Sequence, residues 1–322
     1  MMRLLMIGCT GFIGRELVPQ LLSHGHHLTI ISRKKAEDST KELPSSTHLT
    51  RLQFNPADQS NWEQETLIEA LAKAEGVINL VGEPIAEQRW TPAHCKELLD
   101  SRLESTKGLI KAMGQLRRPP RVLINASAIG YYGTSRNMNF TEKSQCGEDF
   151  LAKLCEQWEF VATQKPKSTR LIILRIGIVL GQGGGAVGKM LPVFKAGLGG
   201  PIGDGNQWMS WIHRTDLCQI VQKALTNKSW SGVINAVAPR PVTMREFANC
   251  LGKSLGRPSL LVVPGPILKL LLGDGARVVL EGQKVESIQL EKRGYEFKYS
   301  QLKEALAAII NPTTNKSLKK LS

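Results

Sequence analysis

The chain has 322 residues, 42% hydrophobic and 22% charged, which suits one large α/β domain or one domain with a smaller appendage. Its formal net charge of +14 invites a nucleic-acid reading, but the basic residues are scattered and no run of five or six like charges appears. The surface therefore points to an anionic small molecule rather than nucleic acid.

The chain goes straight into an apolar strand, Arg3–Ile7, so no signal peptide is expected. Residues 15–23 have helical periodicity with Gly25 as the stop, and 28–32 read as a second buried strand. Leu52-Gln53-Phe54 is a weak third strand, 62–74 a helix, 76–81 a strand and 92–116 a long helix. Residues 121–126 read as a strand, 150–163 as a helix and 169–174 as a β-branched strand. Strands alternating with helices imply a doubly wound parallel sheet, with ligand sites outside the strands' carboxyl ends.

After Gly181 glycines and prolines crowd the chain, so 1–180 is expected to form the nucleotide-binding domain and 181–310 a smaller C-terminal α/β substrate region. Helices are expected over 216–226, 244–255 and 302–310, and a strand over 232–236, with about 212–237 returning to pack on the first domain. The polar residues 311–322 read as a frayed tail. The most apolar stretch, 260–272, is interrupted by Pro264, Pro266 and Lys269 and is too short to span a bilayer. Six separated cysteines (Cys9, Cys95, Cys146, Cys155, Cys218, Cys250) show no CxxC pair and no neighbouring histidine cluster, arguing against a disulfide framework or a zinc site. A soluble, cytoplasmic protein without a membrane partner or a metal is expected.

The most informative segment is Gly8-Cys9-Thr10-Gly11-Phe12-Ile13-Gly14, spaced GxxGxxG between the first strand and the first helix. Gly8 allows the tight turn, Gly11 lets the backbone approach a pyrophosphate, and Gly14 lets the helix pack on the sheet, its N-terminus facing the anion. With a second strand following, this is a Rossmann-type dinucleotide site formed by Gly8, Thr10, Gly11, Phe12, Ile13 and Gly14. The second strand ends in Ser32-Arg33-Lys34, where an NAD site would usually present a carboxylate to the ribose. Arg33 suits a 2′-phosphate, so NADP(H) is the expected cofactor; the alternative is an ordinary basic turn.

These motifs resemble the extended short-chain dehydrogenase/reductase superfamily. GxxGxxG, Asn79-Leu80-Val81-Gly82-Glu83, residues 127–133 and Arg175-Ile176-Gly177 fall in the expected order. Over roughly residues 2–310 the chain is similar to an atypical epimerase-like branch, whose members are called nucleoside-diphosphate-sugar epimerases or cell division inhibitors. Its more specific segments are 79–83, 100–102, 128–133, 181–185, 197–211 and 280–285. The resemblance implies that Leu80, Val81 and Gly82 run along the cofactor and that Val179 lies near the nicotinamide. It puts Arg102 where extended members commonly have an asparagine facing the cofactor, with Glu97 near the cofactor's edge; a solvated helix face is the alternative for both. It also implies a homodimer through the helices 92–116 and 150–163.

The superfamily's usual engine is Tyr-x-x-x-Lys, the lysine easing proton exchange at the phenol while hydride moves at nicotinamide. The chain has four tyrosines, and only Tyr299 has a lysine four residues on, Lys303, far from the motif's place. Alignment of the 150–163 helix on Glu159 puts Leu151 at the tyrosine position and Cys155 at the lysine position. Ser127 and Tyr132 are the substitute candidates, Tyr132 as an acid approached by Lys153 or Lys143; Tyr131 and Tyr132 could instead form a wall of the substrate pocket. His213 and Asp216 open a helix for which Thr215 or Asp216 would be the N-cap, so both read as structural. Gly183 to Gly185 reads as a lid or a turn, and Trp208, Met209 and Trp211 as lining or core. Two functions follow: an NADP(H)-dependent oxidoreductase or epimerase acting on a small hydroxyl or carbonyl compound, sugar-nucleotide-like or otherwise anionic, or a catalytically silent NADP(H)-binding regulator linked to cell division.

Overall fold

Leu4-Leu5-Met6-Ile7 has no polar face, and such a strand is stable only with both faces covered. In the computed structural model, which describes residues 1–33 and 43–311, it becomes an interior strand of a seven-stranded parallel sheet. The strands are β1 (Arg3–Ile7), β2 (His27–Ser32), β3 (Leu49–Gln53), β4 (Gly76–Asn79), β5 (Val122–Ala128), β6 (Arg170–Ile176) and β7 (Gly232–Ala236). In space they run β7-β6-β5-β4-β1-β2-β3. The order reverses between β1 and β4, whose residues Ile7 and Asn79 are register partners, and a crevice opens beyond their carboxyl ends.

Period-two alternation divides the core. Leu4 and Met6 pack under α1 (Gly14–Ser23) and the later α6, through Leu17, Val18, Leu217 and Val221. Leu5 and Ile7 pack on the other face against α2 (Glu65–Lys73) and α3 (Pro92–Gln115), through Leu67, Leu71, Leu109 and Met113. Beside α3 lies α4 (Phe150–Thr163), whose first turn is capped by Asp149 Oδ1 accepting from the Ala152 N–H at 2.9 Å.

The glycine-rich stretch after Gly181 holds a helix that the breakers conceal, α5 (Gly185–Lys195), starting where Gly183 and Gly185 take φ of +76° and +63°. Residues 212–237 carry α6 (Arg214–Thr226) and β7, the latter pairing with β6 as an edge strand of the main sheet. A separate core joins α5, α7 (Met244–Leu255) and α9 (Leu302–Ile310) through Val187, Phe194, Phe247, Leu251 and Leu306. Between them runs α8 (Gly265–Leu272), followed by a helical turn at Arg277–Leu280. Among the described residues, no helix is long and apolar enough to cross a membrane. Lys34 and all of the expected tail except Asn311 lie outside the described residues.

Candidate functional site

The three glycines of the opening turn differ in what requires them. Gly8 has φ +72°, and a Cβ there would stand 2.5 Å from the Leu80 carbonyl oxygen, so the ends of β1 and β4 meet only across a glycine. A Cβ on Gly14 would fall 1.7 Å from the Cys9 carbonyl oxygen, which α1 needs to leave the sheet this closely. Gly11 is different: among the described residues a Cβ there would meet nothing within 4 Å. Packing does not demand a glycine at 11; the space above it suits the close approach of a pyrophosphate. The N-cap residue of α1 is Ile13, whose side chain makes no cap hydrogen bond, so the N-cap itself leaves the helix N-terminus open to an anion.

Phe12 is held from two sides. Arg214, at the start of α6, lies 4.4 Å from its ring centroid, donates to its carbonyl oxygen at 3.1 Å and pairs with Glu16 at 2.7 Å. On the other side a Cβ at Gly184 or Gly185 would come within 2.8 or 2.9 Å of the Phe12 ring. The glycine run is thus packed against the nucleotide turn rather than free of it.

Ser32 ends β2, and Arg33 extends outward, 69% exposed, donating to Glu83 Oε2 at 3.2 Å. Arg33 also lines a cleft of about 420 Å³ with Gln53, Phe54, Asn55, Asn61 and Gln64, beyond the ends of β2 and β3.

The main cavity, about 530 Å³, opens beyond the carboxyl ends of β1, β4, β5 and β6. Phe12, Ile13, Leu80, Val81, Gly82, Arg102 and Val179 line it, as does Ser127. Strand β4 stops at Asn79, two residues short of the expected end, and this frees Leu80 and Val81 to face the opening. Arg102 donates to the carbonyls of Leu98 and Glu83 at 3.0 and 2.9 Å and so fixes the loop after β4. Glu97 is not brought here: its side chain is 65% exposed, against His94, and it is not among the lining residues. The rotation of α3 turns position 102 inward and position 97 out.

Leu151 and Cys155 do line the cavity, side by side with Leu154 and Trp158. Burial pushes the Cys155 thiol up to about 11, so it stays neutral and is no proton acceptor at ordinary pH. The structure does not bring Tyr132 to the cavity. It is 3% exposed, and neither it nor Tyr131 is among the lining residues. Its hydroxyl donates to Asn235 Oδ1 at 2.7 Å and accepts from Arg175 at 3.0 Å, and burial pushes it up to about 12. The ring of Tyr131 lies 3.3 Å from the Arg175 guanidinium carbon. Lys153 is exposed and bonded to Glu156 at 3.1 Å. The two tyrosines therefore sheathe Arg175 instead of walling the pocket.

Arg175 and Glu159 are the polar residues that sequence patterning passes over as family landmarks. Arg175 grips Glu159 with two hydrogen bonds of 2.8 and 2.7 Å, and Ser127 donates to the same carboxylate at 2.6 Å. Burial works against the charge on Arg175, but Glu159 and Tyr132 outweigh it and hold the guanidinium protonated. A signal was present: a lone arginine in an apolar strand and a lone glutamate on an apolar helix face need each other. Ser127 thus joins the cavity to a fixed buried carboxylate.

His213, not Thr215 or Asp216, caps α6, its Nδ1 accepting from the Thr215 N–H at 3.1 Å. Burial lowers its pKa to about 4. Asp216 accepts from the N–H groups of Lys298 and Tyr299 at 2.7 and 3.1 Å. Trp208 lines the cavity, whereas Met209 and Trp211 are buried in the C-terminal core.

Residues 4–236 match the NAD dependent epimerase/dehydratase family, and residues 263–309 match a domain of unknown function, DUF1731. The chain is 42% identical to the Arabidopsis thaliana "Epimerase family protein SDR39U1 homolog, chloroplastic" over 94% of this chain and 85% of the relative. It is 37% identical to the Homo sapiens "Epimerase family protein SDR39U1" over 96% of this chain and all of the relative. A crystal structure of the human protein, isoform 2, with NADPH superposes with a TM-score of 0.84 at 36% identity, covering 96% of this chain and 99% of that one.

Proposed function

The chain belongs to the NAD dependent epimerase/dehydratase family, and from that premise we propose that it is an NADP(H)-dependent oxidoreductase acting on a small carbonyl or hydroxyl compound without a tyrosine–lysine pair. The observation that carries the reading is Gly11, a glycine that no packing among the described residues requires, directly before Phe12 and Ile13, which line the cavity that reaches Ser127. The similar human protein, crystallised with NADPH, supports the choice of cofactor.

The turn around Gly8, Thr10, Gly11 and Gly14 would hold the pyrophosphate, and Ser32 and Arg33 the 2′-phosphate. Leu80, Val81 and Val179 would flank the nicotinamide. When bound, NADPH supplies the hydride. Ser127 then acts on the reacting oxygen: its own proton goes to Glu159 at 2.6 Å, leaving Oγ able to accept from a substrate hydroxyl. In alcohol oxidation the substrate proton passes to Oγ as the serine proton moves to Glu159, which would release it to water; in carbonyl reduction Glu159 would first take a proton from water and the path reverses. Arg175 keeps the carboxylate in place for this exchange.

The test is turnover of NADPH with a panel of small ketones and aldehydes, followed in wild type, Ser127→Ala and Tyr132→Phe. Ser127→Ala should lose at least about a hundredfold in kcat/KM, the low end for a positioned proton-transfer group. Tyr132→Phe should keep its rate within about threefold, since only a structural hydrogen bond is removed. Activity lost in Tyr132→Phe and kept in Ser127→Ala would overturn the assignment.

A further inference from the structure

We infer that the substrate half of the main cavity is built for a neutral, ring-bearing carbonyl or hydroxyl compound and rejects a nucleoside diphosphate sugar. The inference rests on the proposed function and names the substrate class of that same site.

The wall beyond Ser127 is largely apolar and aromatic: Ile85, Trp90, Phe150, Leu151, Trp208 and Val278. Trp90 and Phe150 meet edge to face at 5.3 Å, and the Trp90 N–H is already used by the Ile85 carbonyl at 2.8 Å. This surface offers ring faces and few free donors, which suits a flat apolar body.

A diphosphate needs unspent cations or open backbone N–H groups. Among the described residues lining the cavity, the cations are Arg102 and Arg277. Arg102 is committed to the carbonyls of Leu98 and Glu83. Arg277 is held by Glu281 at 3.0 Å and lies 4.0 Å from Asp149. Glu281 in turn accepts from Thr134 at 2.8 Å. The N-terminus of α4, which borders the cavity, is already filled by the Asp149 carboxylate at the Ala152 N–H. Nearby, Arg136 is paired with Asp204 at 2.8 Å, and the Lys284 ammonium stands 4.9 Å from the Trp208 ring centroid.

The lining of the whole cavity carries Glu83, Asp149 and Glu281 against two guanidinium groups. A basic protein of net charge +14 therefore holds a pocket that is not basic. An anion entering it must take Arg277 from Glu281 and then stand beside both Glu281 and Asp149, whereas a phosphate at Arg33 displaces the single carboxylate of Glu83, and the added like-charge juxtaposition costs affinity.

The probes are 1-phenyl-1,2-propanedione, its carboxylate analogue benzoylformate, and UDP-glucose. Each is titrated into the full-length protein with and without NADP⁺, which cannot reduce them, and binding is read by tryptophan fluorescence. The dione should bind at least about tenfold more tightly than benzoylformate, a difference of about 1.4 kcal/mol, and UDP-glucose should not displace it. Glu281→Gln, which releases Arg277, should narrow the gap between benzoylformate and the dione. UDP-glucose binding more tightly than the dione, equal binding of the dione and benzoylformate, or no measurable dione binding would each overturn the inference. NADPH binding is measured separately by its own fluorescence, and its absence would overturn the proposed function. The ligand order is read with and without cofactor, so it decides the substrate class independently.

Discussion

Arg175 and Glu159 form a forked ion pair under the cavity floor, both side chains less than a tenth exposed. The two charges were taken out of water at a cost, so the pair is better understood as a positioning device for Ser127 than as a source of stability. Removing one partner should be far worse than removing both. Arg175→Met is expected to cost about 3–5 kcal/mol by leaving an uncompensated carboxylate. Arg175→Met combined with Glu159→Leu should recover most of that loss. Urea denaturation of the three proteins measures it; a single variant within about 1 kcal/mol of wild type would show that the pair is not fully desolvated.

His213 gives the fold a defined acid sensitivity. Its folded-state pKa, about 4, lies below the ordinary 6.5, so the unfolded chain binds a proton that the native N-cap refuses. The contribution is complete above about pH 6.5 and is lost as pH falls toward 4. Between about pH 7 and about pH 5 it should remove roughly 2 kcal/mol. Asp216, pushed up by burial, works in the opposite direction, so the comparison is between wild type and His213→Asn, which keeps an N-cap side chain. Stability measured across this range should fall less in the variant. Identical slopes would mean that His213 is not the proton-linked group.

Gly11 and Gly14 should separate binding from folding. Gly14→Ala forces a Cβ into the Cys9 backbone and should destabilise the chain severely. Gly11→Ala meets no atom of the described residues within 4 Å and should leave stability within about 0.5 kcal/mol of wild type. It should nevertheless weaken NADPH binding about tenfold or more, because the methyl group occupies the pyrophosphate's line of approach. Thermal melts and fluorescence titrations of the same preparations decide it; a Gly11→Ala protein with undiminished affinity would show that the turn is only structural.

The sheet was legible because alternating apolar runs carry their own period: β1, β2 and β7 lie within a residue of where the pattern puts them. Strand β3 shifts from 52–54 to Leu49–Gln53 because ladder pairing with β2 sets its start, and the larger apolar side chains do not. Helix α5 was hidden by Gly183 to Gly185 and Pro192, local breakers that the packing around Phe12 and the C-terminal core accommodates. The cavity was legible where it is made of consecutive residues, as at Leu80-Val81-Gly82. It was not where its chemistry depends on distant partners. Tyr132 looks functional beside Ser127, yet Arg175 and Asn235, far along the chain, make it structural. Glu97 and Arg102 share a helix, and only the packing of α3 on α4 decides which of them faces in. The neutralisation of Arg277 needs Asp149 from another segment, a pairing that no local pattern announces.

In an NADP(H) site beginning at the glycine turn, Arg33 should carry the preference for the 2′-phosphate. Arg33 stands free of the core, held by Glu83 at 3.2 Å in an exposed pair that a 2′-phosphate can displace at little cost. NADPH and NADH are titrated by fluorescence into wild type and Arg33→Ala. Wild type should bind NADPH more tightly than NADH. In Arg33→Ala, NADPH should lose about 1.5–3 kcal/mol, the worth of a charge-assisted hydrogen bond, while NADH is nearly unchanged. Equal affinity for the two cofactors in wild type, or an NADPH affinity indifferent to Arg33→Ala, would contradict the NADP(H) assignment.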